Sequence, residues 1–159
     1  MNKEADRRFM ALAIELSSQA VDDDVGGPFG AVVVRAGEVI GRGRNRVLAD
    51  GDPTAHAEIL AIQDACRHLG DHRLRGCAVY TSSEPCPMCM AALYWARVDE
   101  VFYANLRSEA AAIGFDDEWL YRELASEMSD RSLRMSRLSS DAARAVFDLW
   151  FARDDRIPY

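Results

Sequence analysis

Apolar residues recur at helical spacing through the first twenty positions. Phe9, Leu12, Ala13, Leu16 and Ala20 share one face, which predicts an amphipathic helix over about 3–21 with a buried stripe. The polar run from Asp22 to Gly27 interrupts that pattern. From Phe29 to Val34 the chain becomes continuously apolar and β-branched, and a second such stretch runs from Val39 to Val47. Ala36-Gly37 supplies the turn between them, so the two stretches predict a hairpin. Asp52-Pro53-Thr54 offers capping side chains and a first-turn proline ahead of a helix at about 55–69, closed by Gly70. Short strands are expected at Cys77 to Thr81 and Glu100 to Ala104, with a helix from Pro87 to Ala96 between them. Helices at roughly 107–113, 117–128 and 140–153 follow, with a polar break around Ser129 to Ser136. Strands that first pair and then alternate with helices predict an α/β domain with a mixed sheet.

Composition narrows the class. The 159 residues fit one domain, and 49% hydrophobic with 28% charged residues excludes a disordered chain. No repeat or linker divides residues 1–159, so a single domain is expected. No apolar run approaches the roughly 18 residues of a membrane span. Met1 to Arg8 leads into an amphipathic stretch rather than a signal-peptide core, and the expected location is the cytoplasm, with no membrane partner. Nineteen basic against twenty-six acidic side chains leave a net charge of −7, which argues against a nucleic-acid backbone as partner. Of four cysteines, Cys66 and Cys77 are isolated and read as small buried hydrophobes.

The other two carry chemistry. Cys86 and Cys89 lie in Pro85-Cys86-Pro87-Met88-Cys89, and three-residue spacing at a helix start turns both sulfurs to one side. The helix N-terminus favours thiolate over thiol. His56, at the start of the preceding helix, supplies a third, nitrogen ligand. One imidazole and two thiolates suit zinc and leave a tetrahedral position open for water. Cys66 lies ten residues beyond His56, roughly 15 Å along a helix axis at about 1.5 Å per residue, so no good fourth protein ligand is in reach. Glu58 then has a purpose. Two residues apart on a helix point about 200° apart, so His56 and Glu58 cannot grip a metal side-on; end-on, they can flank it. The histidine ligates, and the carboxylate takes a proton from the activated water and passes it to a leaving group. That is equipment for hydrolytic attack at an amidine-type carbon with loss of ammonia.

His56-Ala57-Glu58 together with Pro85-Cys86-Pro87-Met88-Cys89 resembles the signature of the zinc-dependent cytidine-deaminase-like superfamily. The likeness runs end to end and narrows to the bacterial guanine deaminases. It includes Gly26 to Ala31, Asp52 to Glu58, Tyr80-Thr81-Ser82, Glu84 to Cys89, Tyr94 to Arg97, Val101 to Ala104 and the terminal Tyr159. The segment Gly114-Phe115-Asp116-Asp117 and Tyr159 are what point to the guanine branch.

The resemblance implies a three-layer α/β/α sandwich around a central mixed β-sheet, one Zn2+ per active site with a catalytic water, and a free nucleobase as substrate. His56, Cys86 and Cys89 hold the metal, and Glu58 is the proton shuttle. Asp117 is a second catalytic carboxylate, with Asp116 as the alternative. Phe29 packs on the base, Asn45 hydrogen-bonds it through a carboxamide that both donates and accepts, and Ala57 offers its backbone N–H. Trp95 either lines the pocket or packs in the core. The apolar stripe Ala143, Val146, Phe147, Trp150 and Phe151 is core or partner contact. The resemblance implies a homodimer in which a segment of about 137–159 is exchanged, so that Tyr159 closes the partner's pocket. Two rival activities share the zinc machinery: deamination of another small ring such as cytosine or ammeline, and editing of tRNA adenosine. The second is opposed by the charge of −7, although Arg131, Arg134, Arg137 and Arg144 form a local basic cluster. A non-catalytic zinc-stabilised module would dispense with Glu58, which is present.

Overall fold

The computed structural model describes residues 3–158, and Tyr159 lies outside the described residues. The chain divides into two compact units at Tyr121/Arg122. The first opens with α1 (Lys3–Asp22), the hairpin β1 (Gly30–Arg35) and β2 (Glu38–Arg44), a single turn α2 (Val47–Asp50), and α3 (Ala57–Leu69). It continues through β3 (Cys77–Ser83), α4 (Pro87–Trp95), β4 (Glu100–Asn105), α5 (Arg107–Ala112) and the start of α6 (Asp117–Ala125). The sheet order is β2-β1-β3-β4. β1 pairs antiparallel with β2 and β3, while β3 and β4 run parallel, so the sheet is mixed as expected.

Strand alternation divides the core between two faces. Val32 and Val34 of β1 pack with Tyr80 of β3 and with Phe9 of α1. Ala31 and Val33 face the other way, onto Ala57, Ala61 and Ala65 of α3 and Leu93 of α4. Helices on both faces of one sheet give the three-layer sandwich. Cys77 belongs to the second core and Cys66 packs against it; burial pushes both thiols up, as inert small hydrophobes require.

The close approach of α3 to β2 positions the site. A Cβ on Gly41 would strike the carbonyl of Ala61, and one on Gly43 would strike the carbonyl of Ala57 and the amide of Ala61. Glycine in the strand and alanine at every fourth helix position let the two backbones nearly touch. Gly43→Ala is expected to force α3 away and lower stability by about 1–3 kcal/mol. At this chain length that is a drop of roughly 3–10 °C in melting temperature by calorimetry, and an unshifted melt would contradict it.

Several boundaries differ from expectation for local reasons. The helix at 57–69 starts two residues late because Asp52 does not cap it: its Oδ1 accepts from the Thr54 amide and hydroxyl at 2.8 and 2.7 Å, closing a turn of its own. The N-cap position falls to His56, with extended backbone (φ −74, ψ 153). The second strand stops at Arg44, where the chain turns into α2 rather than continuing to Val47.

The second unit begins within α6, which ends at Ala125, three residues short of the expected end, and is followed by a 3-10 turn at Met128–Asp130. Its main element is α7 (Asp141–Phe151), where the Ser140 hydroxyl accepts from the Ala143 amide. Val146, Phe147, Trp150 and Phe151 all remain exposed, Phe147 to 75%. The arginine cluster is partly engaged locally: Arg131 donates to the carbonyls of Ser126 and Leu124, and Arg144 pairs with Asp148 at 3.7 Å.

Candidate functional site

Two helix starts meet at the end of the sheet. His56 is the N-cap residue of α3; Cys86 is that of α4, with Pro87 and Met88 carrying the chain to Cys89 at the third helical position. His56 Nδ1 lies 3.6 Å from the sulfur of Cys86 and 3.6 Å from that of Cys89. All three ligand atoms fall within 4.8 Å of one another. A tetrahedral zinc with bonds of about 2.3 Å to sulfur and about 2.0–2.1 Å to nitrogen separates the two atom types by about 3.6 Å, so both nitrogen–sulfur distances fit that ion. Among the described residues this is the metal-competent group.

Glu58, the second residue of α3, is 6% exposed and is held from both sides. Thr81 of β3 donates its hydroxyl to one carboxylate oxygen at 3.2 Å, and the Cys89 thiol approaches the other at 3.4 Å. Glu58 and His56 open into a cavity of about 530 Å³, lined also by Phe29, Asn45, Cys86 and Asp117. The rings of Phe29 and Phe115 meet edge to face at 4.9 Å and form an apolar wall. The size and mixed lining suit a small planar ligand with a few polar contacts.

The cytidine and deoxycytidylate deaminase zinc-binding region matches residues 3–105. The chain belongs to this deaminase family. The deaminase is 43% identical over 142 residues to guanine deaminase of Bacillus subtilis (strain 168), across 89% of this chain and 91% of that protein. It superposes on the X-ray structure of guanine deaminase from Bacillus subtilis with a TM-score of 0.93 at 41% identity, covering 100% of this chain and 99% of that one. It is also 43% identical over 106 residues to a tRNA-specific adenosine deaminase of Agrobacterium fabrum, a match covering 66% of this chain and 68% of that protein.

Charge in the deaminase site is arranged around the donors. The Cys86 thiol is held down to about 4, first by hydrogen bonding from Cys89 and further by His56. His56 in turn is raised by its contact with Cys86. Burial pushes the Glu58 carboxyl up, and burial followed by the nearby Cys86 charge does the same for Asp117. Of the two candidate aspartates, Asp117 lines the cavity, while Asp116 accepts from the Trp119 amide at 3.3 Å at the start of α6. Asn45 is 3% exposed, and its Oδ1 already accepts from the amides of Gly27 and Val47 at 3.2 Å each. Its NH2 donors are therefore what it can offer a ligand, rather than the donor and acceptor expected. Ala57 is fully buried and heads α3, where backbone N–H groups lack intrahelical partners. Trp95 neither lines the cavity nor joins the core; it is 59% exposed. Tyr159 lies outside the described residues.

Three further residues support the site. Phe115 completes the wall, Thr81 orients Glu58, and Tyr121 donates its hydroxyl to the Pro85 carbonyl at 3.1 Å with the Arg107 guanidinium 4.6 Å above its ring. Phe115 was signalled by the Gly114 to Asp117 segment. Thr81 and Tyr121 depend on tertiary neighbours that spacing does not show.

Proposed function

We propose that this deaminase converts guanine and water to xanthine and ammonia, a step of purine breakdown, in the cytoplasm. The observation that carries the reading is the second carboxylate, Asp117, in the same cavity as Glu58 and two of the three metal donors, His56 and Cys86. The near full-length similarity to guanine deaminase of Bacillus subtilis supports it. That no helix among the described residues is long and apolar enough to cross a membrane agrees with it, as do four free cysteines.

His56, Cys86 and Cys89 would hold the zinc ion, which when bound acidifies water toward neutral pH and so supplies the nucleophile. Glu58 takes the proton from the attacking water and delivers it to the purine, so that carbon 2 gains oxygen and its amino group leaves as ammonia. The buried setting of Glu58 disfavours its charged form and so favours taking up that proton. Asp117 accepts from the departing amino group and assists its protonation. Phe29 and Phe115 pack on the base, Asn45 donates from its carboxamide, and the Ala57 amide donates to the ring carbonyl.

The assembly belongs to the same reading. The protein acts as a homodimer in which the C-terminal segment, about 137–159, is exchanged and Tyr159 closes the neighbour's pocket. The exposed apolar stripe of α7 supports this, because a helix with that face uncovered calls for a partner surface. Deleting Arg156 to Tyr159 is expected to lower turnover about a hundredfold, the scale of losing a substrate-positioning contact, with zinc content unchanged. Unchanged kinetics would remove the role assigned to Tyr159. The activity itself is tested by ammonia release from guanine, cytosine, adenine, ammeline and tRNA. Guanine is expected to be the preferred substrate, and a higher kcat/KM on any other member of the panel would overturn the reading.

A further inference from the structure

β3 ends in three hydroxyl-bearing residues, Thr81, Ser82 and Ser83, and all three are buried. Two have partners. Thr81 donates to Glu58 at 3.2 Å, and Ser82 accepts the Gly30 amide at 3.0 Å. Ser83 is 4% exposed, and its Oγ has no hydrogen-bond partner in the protein. Buried hydroxyls are nearly always satisfied, because one left without a partner bears the whole loss of its hydration.

Geometry says what Ser83 faces. Alternate side chains on a strand share a side, so Ser83 lies on the side of Thr81 and Glu58. It stands two residues nearer the cysteine-bearing turn, and it lines the same cavity as Glu58, Cys86 and Asp117. A small side chain with an unspent donor and acceptor thus stands in the wall of the space where the base must sit.

We infer that Ser83 is a substrate-binding and specificity-determining residue, its hydroxyl hydrogen-bonding the polar edge of the bound purine. This rests on the guanine reading. The other polar groups there are committed: Asp117 and Glu58 accept when ionised, and Asn45 is restricted to donating. A hydroxyl rotates to donate or accept, which suits a ring whose amino donor becomes a carbonyl acceptor during the reaction. Thr81 and Ser82 cannot substitute, since each hydroxyl is already held.

The test uses zinc-loaded, full-length wild type and Ser83→Ala, with four readouts: guanine kcat/KM, xanthine Kd by calorimetry, zinc content and melting temperature. The expected result is a fall in kcat/KM and a rise in xanthine Kd of about tenfold each, the scale of one neutral hydrogen bond. Zinc content should stay the same, and melting should be unchanged or higher, because the substitution removes a buried hydroxyl that the fold does not use. Equal kcat/KM and Kd in the two proteins would overturn the assignment. So would a melt lowered by several degrees, which marks a structural hydroxyl. Failure of the guanine reading shows differently, as a wild type that does not release ammonia from guanine.

Discussion

Glu58→Gln is expected to slow ammonia release from guanine by at least about a thousandfold, within the range that a positioned proton-transfer group contributes. The same protein should retain zinc at the wild-type level and melt no lower. The substitution is nearly isosteric, and the metal donors are His56, Cys86 and Cys89 rather than Glu58. Both carboxylate oxygens have neighbours, Thr81 at 3.2 Å and Cys89 at 3.4 Å, and an amide can keep the Thr81 contact because a hydroxyl both donates and accepts. Burial disfavours the charged carboxylate, as its raised pKa indicates, so exchanging it for a neutral amide relieves a desolvation cost. The amide cannot take a proton from water at neutral pH. Stability and metal binding should therefore separate from activity in this one variant. Turnover within tenfold of wild type, measured as ammonia release, would remove Glu58 from the mechanism.

Legibility differed by the range over which each feature is determined. The long helix at the start, the hairpin and the Gly70 stop were readable because periodicity and turn chemistry act within a few residues. The donor triad was readable for a different reason: zinc admits few ligand sets, so Cys86 and Cys89 three apart with His56 upstream leave little choice. The start of α3 was misplaced although its cue was of the right kind. Asp52 does accept a local amide, but at Thr54, in a turn that hands the N-cap position to His56. Asn45 lines the cavity, yet its oxygen is consumed by Gly27 and Val47, partners only the fold brings near. Trp95 and Phe115 show the same limit. Both are aromatic residues in family segments, and only packing makes Phe115 a wall and leaves Trp95 mostly exposed. The stripe on α7 was readable as amphipathic, while its exposure could not be, since what covers such a face need not lie in the same chain.

Cys86→Ser is expected to abolish zinc retention and, with it, activity, while leaving α4 folded. Cys86 occupies two roles at once: it is one of three metal donors and the N-cap of α4, where its side chain makes no capping bond. Serine suits the second role better than cysteine, because an N-cap hydroxyl accepts from the first-turn amides. It fails in the first, because zinc sites of this kind use the thiolate, and an un-ionised hydroxyl is a poor replacement. Helicity by circular dichroism should therefore match wild type, and elemental analysis after dialysis should find little metal. The stabilities should part in a way that identifies the metal as the cause. A ligand bound only by the native state adds about 4 kcal/mol at a thousand times its Kd, so chelation should lower the wild-type melting temperature markedly. The Cys86→Ser protein should already melt near the chelated wild type and respond little to chelator. A variant that keeps wild-type zinc content would place the metal elsewhere. A variant that loses zinc yet melts like the untreated wild type would show that the ion contributes chemistry but no folding stability.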